Sequence, residues 1–203
     1  VFDLTFQQVL ARGIAAVFVF SMLGFTHALI ARLLGDRNIE YDGKLTANPL
    51  IHLDLVGLFA AIVTRAGWVR PITVDDKIIG GRFAPAIAAS GAAIATLAIG
   101  HLTQFLLPLV ASYWPASSSG FVDWAIREIP QIAAWTVVLN VIPLPPLLGA
   151  CVLKLVAPRT YTWLTKRQFW LGVAMLLLAI LFYKALAQSP LQIFASILAF
   201  GVK

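Results

Sequence analysis

The chain has 203 residues, of which 60% are apolar and 12% charged, and its formal charge is +6. A soluble domain carries about 25% charged and about 45–50% apolar residues, so too little polar side chain is present to cover a water-facing surface, and a soluble globular domain is excluded. The positive charge is not a nucleic-acid signal, because the Lys and Arg residues fall mainly between apolar runs, where they orient helices in a bilayer.

In chain order, the predicted spans are residues 8–34, 84–110, 129–156 and 169–186. Each approaches or exceeds the roughly 20 residues that cross a bilayer as a helix. The expected fold is therefore all-α and polytopic, a single membrane domain with about four transmembrane helices. The run 50–63 is too short to span comfortably. It is predicted to be re-entrant or interfacial, and the tail 191–202 to lie at the interface or against a partner. The first apolar run is too long for a signal-peptide core, and no small-residue cleavage site follows it, so no cleavable signal is expected.

Charge predicts the topology. Arg32, Arg37 and Lys44 follow the first span, and Arg65, Arg70, Lys77 and Arg82 follow the short run. The positive-inside rule places both stretches in the cytoplasm, so 50–63 enters and leaves on one side. Residues 111–126 hold no Lys or Arg and read as an external loop, and Lys154, Arg159, Lys166 and Arg167 mark the cytoplasm again. Both termini are expected outside, in a bacterial cytoplasmic membrane. Trp114, Trp124, Trp163 and Trp170 lie near span ends, where indoles favour the headgroup zone. Ala84, Ala88, Ala89, Ser90, Gly91, Ala92, Ala93 and Ala95 make the second span a close-packing surface. Cys151, the single cysteine, excludes an internal disulfide and reads as a small core residue.

Three local patterns carry information. The first is Leu23-Gly24-Phe25-Thr26-His27, running on through Ala28, Ala31 and Arg32 to Gly35-Asp36. The second is Asn48-Pro49-Leu50-Ile51-His52-Leu53-Asp54, joined by Gly67-Trp68-Val69-Arg70-Pro71. The third is Asn140-Val141-Ile142-Pro143-Leu144-Pro145-Pro146-Leu147-Leu148-Gly149. In this order they resemble the site-2 protease family of intramembrane zinc metalloproteases. There a membrane helix carries H-E-x-x-H, an N-P segment and a G-W-x-x-P turn follow, and a later helix carries N-x-x-P-x-P-P-L-D-G. The resemblance covers roughly residues 8–185 and implies a site-2-protease-like core.

The departures fall on the chemistry. A metalloprotease of this kind needs two imidazoles four residues apart on one helix face, with a glutamate as general base. The family's later aspartate completes an open zinc site. Here the first His position is Leu23, the Glu position is Gly24 and the Asp position is Leu148, leaving only His27 as a vestigial ligand. No catalytic residue and no metal site is therefore expected.

Other candidates carry structural readings. His27 is expected to hydrogen-bond the backbone or a neighbour such as Thr26 or Asn140, while His52 and Asp54 fix the short segment at the interface. A replacement site built from His27, His52 and Asp54 is the sharper alternative. His101, or His27, is a candidate for axial ligation of haem or chlorophyll; otherwise no cofactor is expected. Pro143, Pro145 and Pro146 break the third span and free carbonyls that protein must satisfy. Asn140 either satisfies that break internally or binds an extended partner backbone. In active relatives the broken segment is implied to help present an extended substrate strand.

The expected function is a catalytically inactive pseudoprotease. It would serve as an accessory subunit or scaffold that packs against transmembrane helices of a larger complex, respiratory or photosynthetic, with lipid around it and no nucleic acid. His27, His52, Asp54, Asn140, Pro143, Pro145, Pro146 and Leu148 are the candidate partner-groove residues. The alternatives are a regulatory decoy or assembly chaperone for transmembrane substrates, and a residual metal-dependent hydrolase. Transport is disfavoured because ionisable groups are nearly absent at membrane depth, with Arg127 and Glu128 read at a span entrance.

Overall fold

A computed structural model describes residues 4–113, 116–182 and 190–199. Among them every regular element is a helix, apart from one isolated bridge, Leu53 to Val69.

Helix α1 (Phe6–Leu33) is the axis of the molecule. Thr5 opens it with a reciprocal cap: its hydroxyl accepts from the Gln8 amide (3.3 Å), and the Gln8 side chain accepts from the Thr5 amide (2.9 Å). The helix has 28 residues and is about 42 Å long at 1.5 Å per residue, more than the roughly 30 Å of hydrocarbon. Gly35, at φ 106°, ends it in the left-handed region. Ala11, Ala15, Ala16, Val19, Phe20, Leu23, Ala28 and Ala31 are all buried. Helices α5 (Ala84–Leu102) and α7 (Ala116–Asn140) pack on it. The small side chains of α5 provide the close approach: Ala88, Ala89 and Ala92 are buried, and Gly91 lies against Ile30.

Among the described residues two helical runs, Phe6–Leu33 and Gly81–Leu109, are long and apolar enough to cross a membrane. The second comprises a 3-10 turn, α5, another 3-10 turn and the start of α6 (Leu107–Tyr113). A third span exists if α9 (Pro158–Thr165) and α10 (Gln168–Leu181), bent by 81°, count as one. Helix α7 corrects the predicted boundary at 129. It begins at Ala116, so much of the stretch read as an external loop is helical, and Asp123, Arg127 and Glu128 lie within it. It ends at Asn140, and after the proline-rich break the chain resumes as α8 (Ala150–Val156). The helix α11 (Pro190–Leu198) lies along α7. Residues 183–186 of the predicted fourth span, 200–202 of the predicted tail, and Trp114 fall outside the described residues.

After α2 (Asn38–Tyr41), residues 45–75 fold beside α1 as a hairpin. It descends through α3 (Pro49–His52) and α4 (Leu55–Thr64). His52 lies against Gly24 of α1, whereas the carbonyls of Ile62 and Val63 accept from Arg12 (3.2 and 3.4 Å). The hairpin therefore tracks α1 from residue 24 down to residue 12, about 18 Å of helix. The return strand pairs Val69 with Leu53, the Arg70 amide donates to the His52 carbonyl (2.7 Å), and the Asp75 amide donates to Asp36 (2.9 Å).

This geometry corrects the grouping of Arg65 with Arg70, Lys77 and Arg82. Arg65 closes α4 at the far turn, at φ 66°. Its guanidinium grips Glu128 with two hydrogen bonds of 2.7 and 2.8 Å, and Arg12 stands 3.6 Å from the same carboxylate. Glu128 and Arg12 are both buried. Glu128 is thus the centre of an ion cluster joining α1, α4 and α7. Sequence reading missed it because the three residues are far apart in the chain and each alone looks like a boundary charge.

Candidate functional site

The three patterns converge along the second half of α1. Leu23 belongs to a buried cluster with Phe20, Val69 and Ile132, and Leu53 and Leu148 pack against that cluster. Two positions that would carry zinc ligands by the resemblance, 23 and 148, are thus brought to one apolar cluster and filled with hydrocarbon.

Gly24 is occupied in a different way. A Cβ built there falls onto the His52 ring and lies 2.6 Å from the His52 Cβ. His52 is 1% exposed, and its Nε2–H donates to the Thr46 carbonyl (2.7 Å), which fixes the tautomer of the neutral ring. His52 is therefore buried against α1 and tied to the segment's own backbone. Its burial, chiefly, together with the positive charge of Arg70, holds the imidazole below the ordinary histidine range, against the opposing pull of the Thr46 carbonyl. The Asn48 side chain accepts from the Leu50 amide (3.1 Å), and that of Asp54 from the Gly57 amide (2.9 Å), so each caps a short helix.

Asn140 stitches the proline break to the hairpin. Its amide nitrogen donates to the carbonyls of Gly67 (3.0 Å) and Thr136 (2.8 Å), and its oxygen accepts from the Leu148 amide (3.0 Å). The Gly149 amide donates to the Asn140 carbonyl (2.8 Å). A Cβ at Gly149 would stand 2.5 Å from the Ile142 carbonyl oxygen, so only glycine permits this closure. Asn140 is 5% exposed and is committed to the chain's own backbone.

A cavity of about 260 Å³ opens between α1, α5, the return strand, the break and α8–α10. His27, Pro145, Pro146 and Leu148 of the candidate residues line it; His52, Asp54, Asn140 and Pro143 do not. Cys151 also lines it, half-buried rather than sealed in a core, and Thr73, Lys154, Tyr161, Thr165 and Gln168 complete its polar lining. His27 is 4% exposed and neither ring nitrogen has a partner. The expectation that Thr26 or Asn140 would satisfy it fails for a local reason. The Thr26 hydroxyl bonds back to the Met22 carbonyl (2.6 Å), as a threonine inside a helix commonly does, and Asn140 is used elsewhere. His101 lies outside this site, and its Nδ1–H donates to the Leu97 carbonyl one turn back (2.6 Å).

A tetrahedral zinc site needs three protein donors beside an open position. At the positions that the resemblance aligns with zinc ligands and general base, this chain offers one imidazole, two leucines and a glycine covered by another ring. No group of three or more His, Cys, Asp or Glu side chains able to hold a metal occurs among the described residues. The donor set does not fit zinc.

The chain is 29% identical over 149 residues to a Bacillus subtilis (strain 168) protein named "Putative zinc metalloprotease YwhC", an overlap covering 71% of this chain and 68% of that one. No family model and no solved structure matches the chain.

Proposed function

We propose that the chain is a membrane protein of the site-2 protease type that has given up proteolysis and works by binding. On this reading it is an accessory subunit that packs against transmembrane helices of a larger complex in a bacterial cytoplasmic membrane. It would have four spans, both termini outside and its basic loops cytoplasmic. The observation that carries the reading is the filling of the catalytic positions: Leu23 and Leu148 share a hydrocarbon cluster, and His52 covers Gly24. A zinc-bound water could find neither its metal nor a general base there.

The same change favours binding. Replacing buried polar ligands with leucine removes groups that must be satisfied, and leaves a drier wall suited to permanent packing. The cavity keeps features of a groove for an extended chain. Among the described residues, no partner engages the backbone of Ile72, Thr73 or Val74 on its wall, and the His27 ring is unpartnered. A partner strand would satisfy both. Those open groups also support the second reading, a decoy or assembly chaperone that holds membrane substrates transiently.

Purification from native membranes in mild detergent tests the proposal. A constant partner at fixed stoichiometry is expected, and recovery as a lone chain would contradict it. A photocrosslinking residue at Leu148 separates the two readings. One partner marks a subunit, and many partners mark a chaperone.

A further inference from the structure

Charge is unevenly divided along the chain. Between residues 129 and 203 there is no Asp or Glu, whereas Lys154, Arg159, Lys166, Arg167, Lys184 and Lys203 fall there. The earlier basic stretch, from Arg32 to Arg82, is interspersed with acidic residues such as Glu40, Asp42 and Asp76. Lys154 reaches Asp76 at 3.7 Å. Among the described residues, no ion pair involves Arg159, Lys166 or Arg167.

Helix α9 gathers these three cations on one side. Positions 159, 163, 166 and 167 recur at the three- and four-residue spacing of a single helix face. Arg159, Trp163, Lys166 and Arg167 are all exposed, and Lys166 keeps helical backbone, so the face runs on past Thr165. The Arg167 guanidinium lies over the Trp163 ring, 4.2 Å from its centroid, and donates to the Trp163 carbonyl (3.2 Å). The opposite face is committed to the protein, where Tyr161 and Thr165 line the cavity. Beyond the 81° bend into α10, Phe169 and Trp170 are exposed as well. With α10 entering the bilayer as part of the proposed fourth span, α9 runs along the membrane surface, at the depth where indoles and basic side chains sit together. We propose that this outer face of α9 binds the headgroup of an anionic phospholipid. Arg159, Lys166 and Arg167 supply the countercharge for its phosphate, and Trp163 and Trp170 set the depth of the site. Three cations sharing a face without a carboxylate repel one another, and an anion placed among them is attracted by all three. The proposal rests on the four-span reading and is independent of any partner chain and of whether the protein cleaves peptides.

Native mass spectrometry of the full chain in non-ionic detergent tests it, by titration with phosphatidylglycerol and, separately, with phosphatidylcholine. The unaltered protein should retain phosphatidylglycerol in clear preference to the neutral lipid. Each basic residue near an anionic surface contributes about fivefold in affinity. Arg159→Gln/Lys166→Gln/Arg167→Gln should therefore weaken phosphatidylglycerol binding by roughly 100-fold and leave phosphatidylcholine binding unchanged. These side chains are exposed, so the variant should keep the parent's circular dichroism and Tm. Arg37→Gln/Lys77→Gln/Arg82→Gln removes the same charge from the mixed-sign stretch and should keep the preference. A loss of less than about threefold in the α9 variant would overturn the proposal. An equal loss in the control variant would overturn it too, because net charge alone would then explain the binding. Inorganic phosphate that displaces the lipid as effectively as phosphatidylglycerol itself would mark a site for a free anion, and the lipid assignment would fall. A chain recovered without any protein partner, yet with this lipid preference intact, would count against the subunit reading alone.

Discussion

Glu128→Gln tests the ion cluster that holds the hairpin in place. The substitution keeps size and shape but leaves two guanidiniums facing one neutral amide. Arg65 contributes bonds of 2.7 and 2.8 Å and Arg12 a contact at 3.6 Å, with Glu128 and Arg12 almost fully buried. Removing one partner from a buried pair costs about 3–5 kcal/mol. The Arg65 side chain keeps 34% of its exposure, so water screens part of the loss and a value near 3 kcal/mol is expected. For a chain of this length roughly 2–4 °C accompany each kcal/mol, giving a Tm about 6–12 °C lower in mild detergent, followed by far-UV circular dichroism. Exchanging the whole cluster for hydrocarbon, as Arg12→Met, Glu128→Leu and Arg65→Met together, should cost less than Glu128→Gln alone, because no charge is left uncompensated. A Glu128→Gln protein within about 1 kcal/mol of its parent would refute the reasoning.

Two further outcomes follow from the same contacts. Asn140→Ala leaves the Gly67 carbonyl and the Leu148 amide without their partner, at about 1–3 kcal/mol for each buried group; a loss of about 2–6 kcal/mol by thermal unfolding is expected, and a neutral result would place the bond to Gly67 in doubt. His52 titrates below its ordinary value in the folded chain, so the unfolded chain takes up its proton first. Stability from this group is complete above about pH 6.5 and declines as pH falls toward the lowered folded value. Unfolding measured across that window should show the decline, and His52→Gln should flatten it.

The fold was legible where local chemistry and lipid act together. The apolar run ending near Leu34 and the small-residue stripe from Ala84 mark helices because a bilayer admits little else, and both appear within a few residues of expectation. The start of α7 was not legible. Asp123, Arg127 and Glu128 look like the polar edge of a span until Arg12 and Arg65 are seen to neutralise Glu128, and such long-range pairing leaves no periodic trace in the sequence. Similarly, the motif order announced that positions 23, 27 and 148 share a site, and His27 and Leu148 do line one cavity. That Gly24 is covered by His52 could not be read from either pattern alone, since it depends on how deeply the hairpin seats against α1. His27 shows the opposite error: its neighbours offered partners by proximity in sequence, but helix geometry had already directed the Thr26 hydroxyl to the preceding turn.

Metal content tests the central claim most directly. The chain, purified from zinc-replete cells without chelator, should contain far less than one zinc per molecule by elemental analysis, and chelation should leave its Tm unchanged. His27→Leu should likewise be tolerated, because it removes two ring nitrogens that have no partner. Stoichiometric zinc that disappears on His27→Leu would contradict the account and return the chain to the proteases.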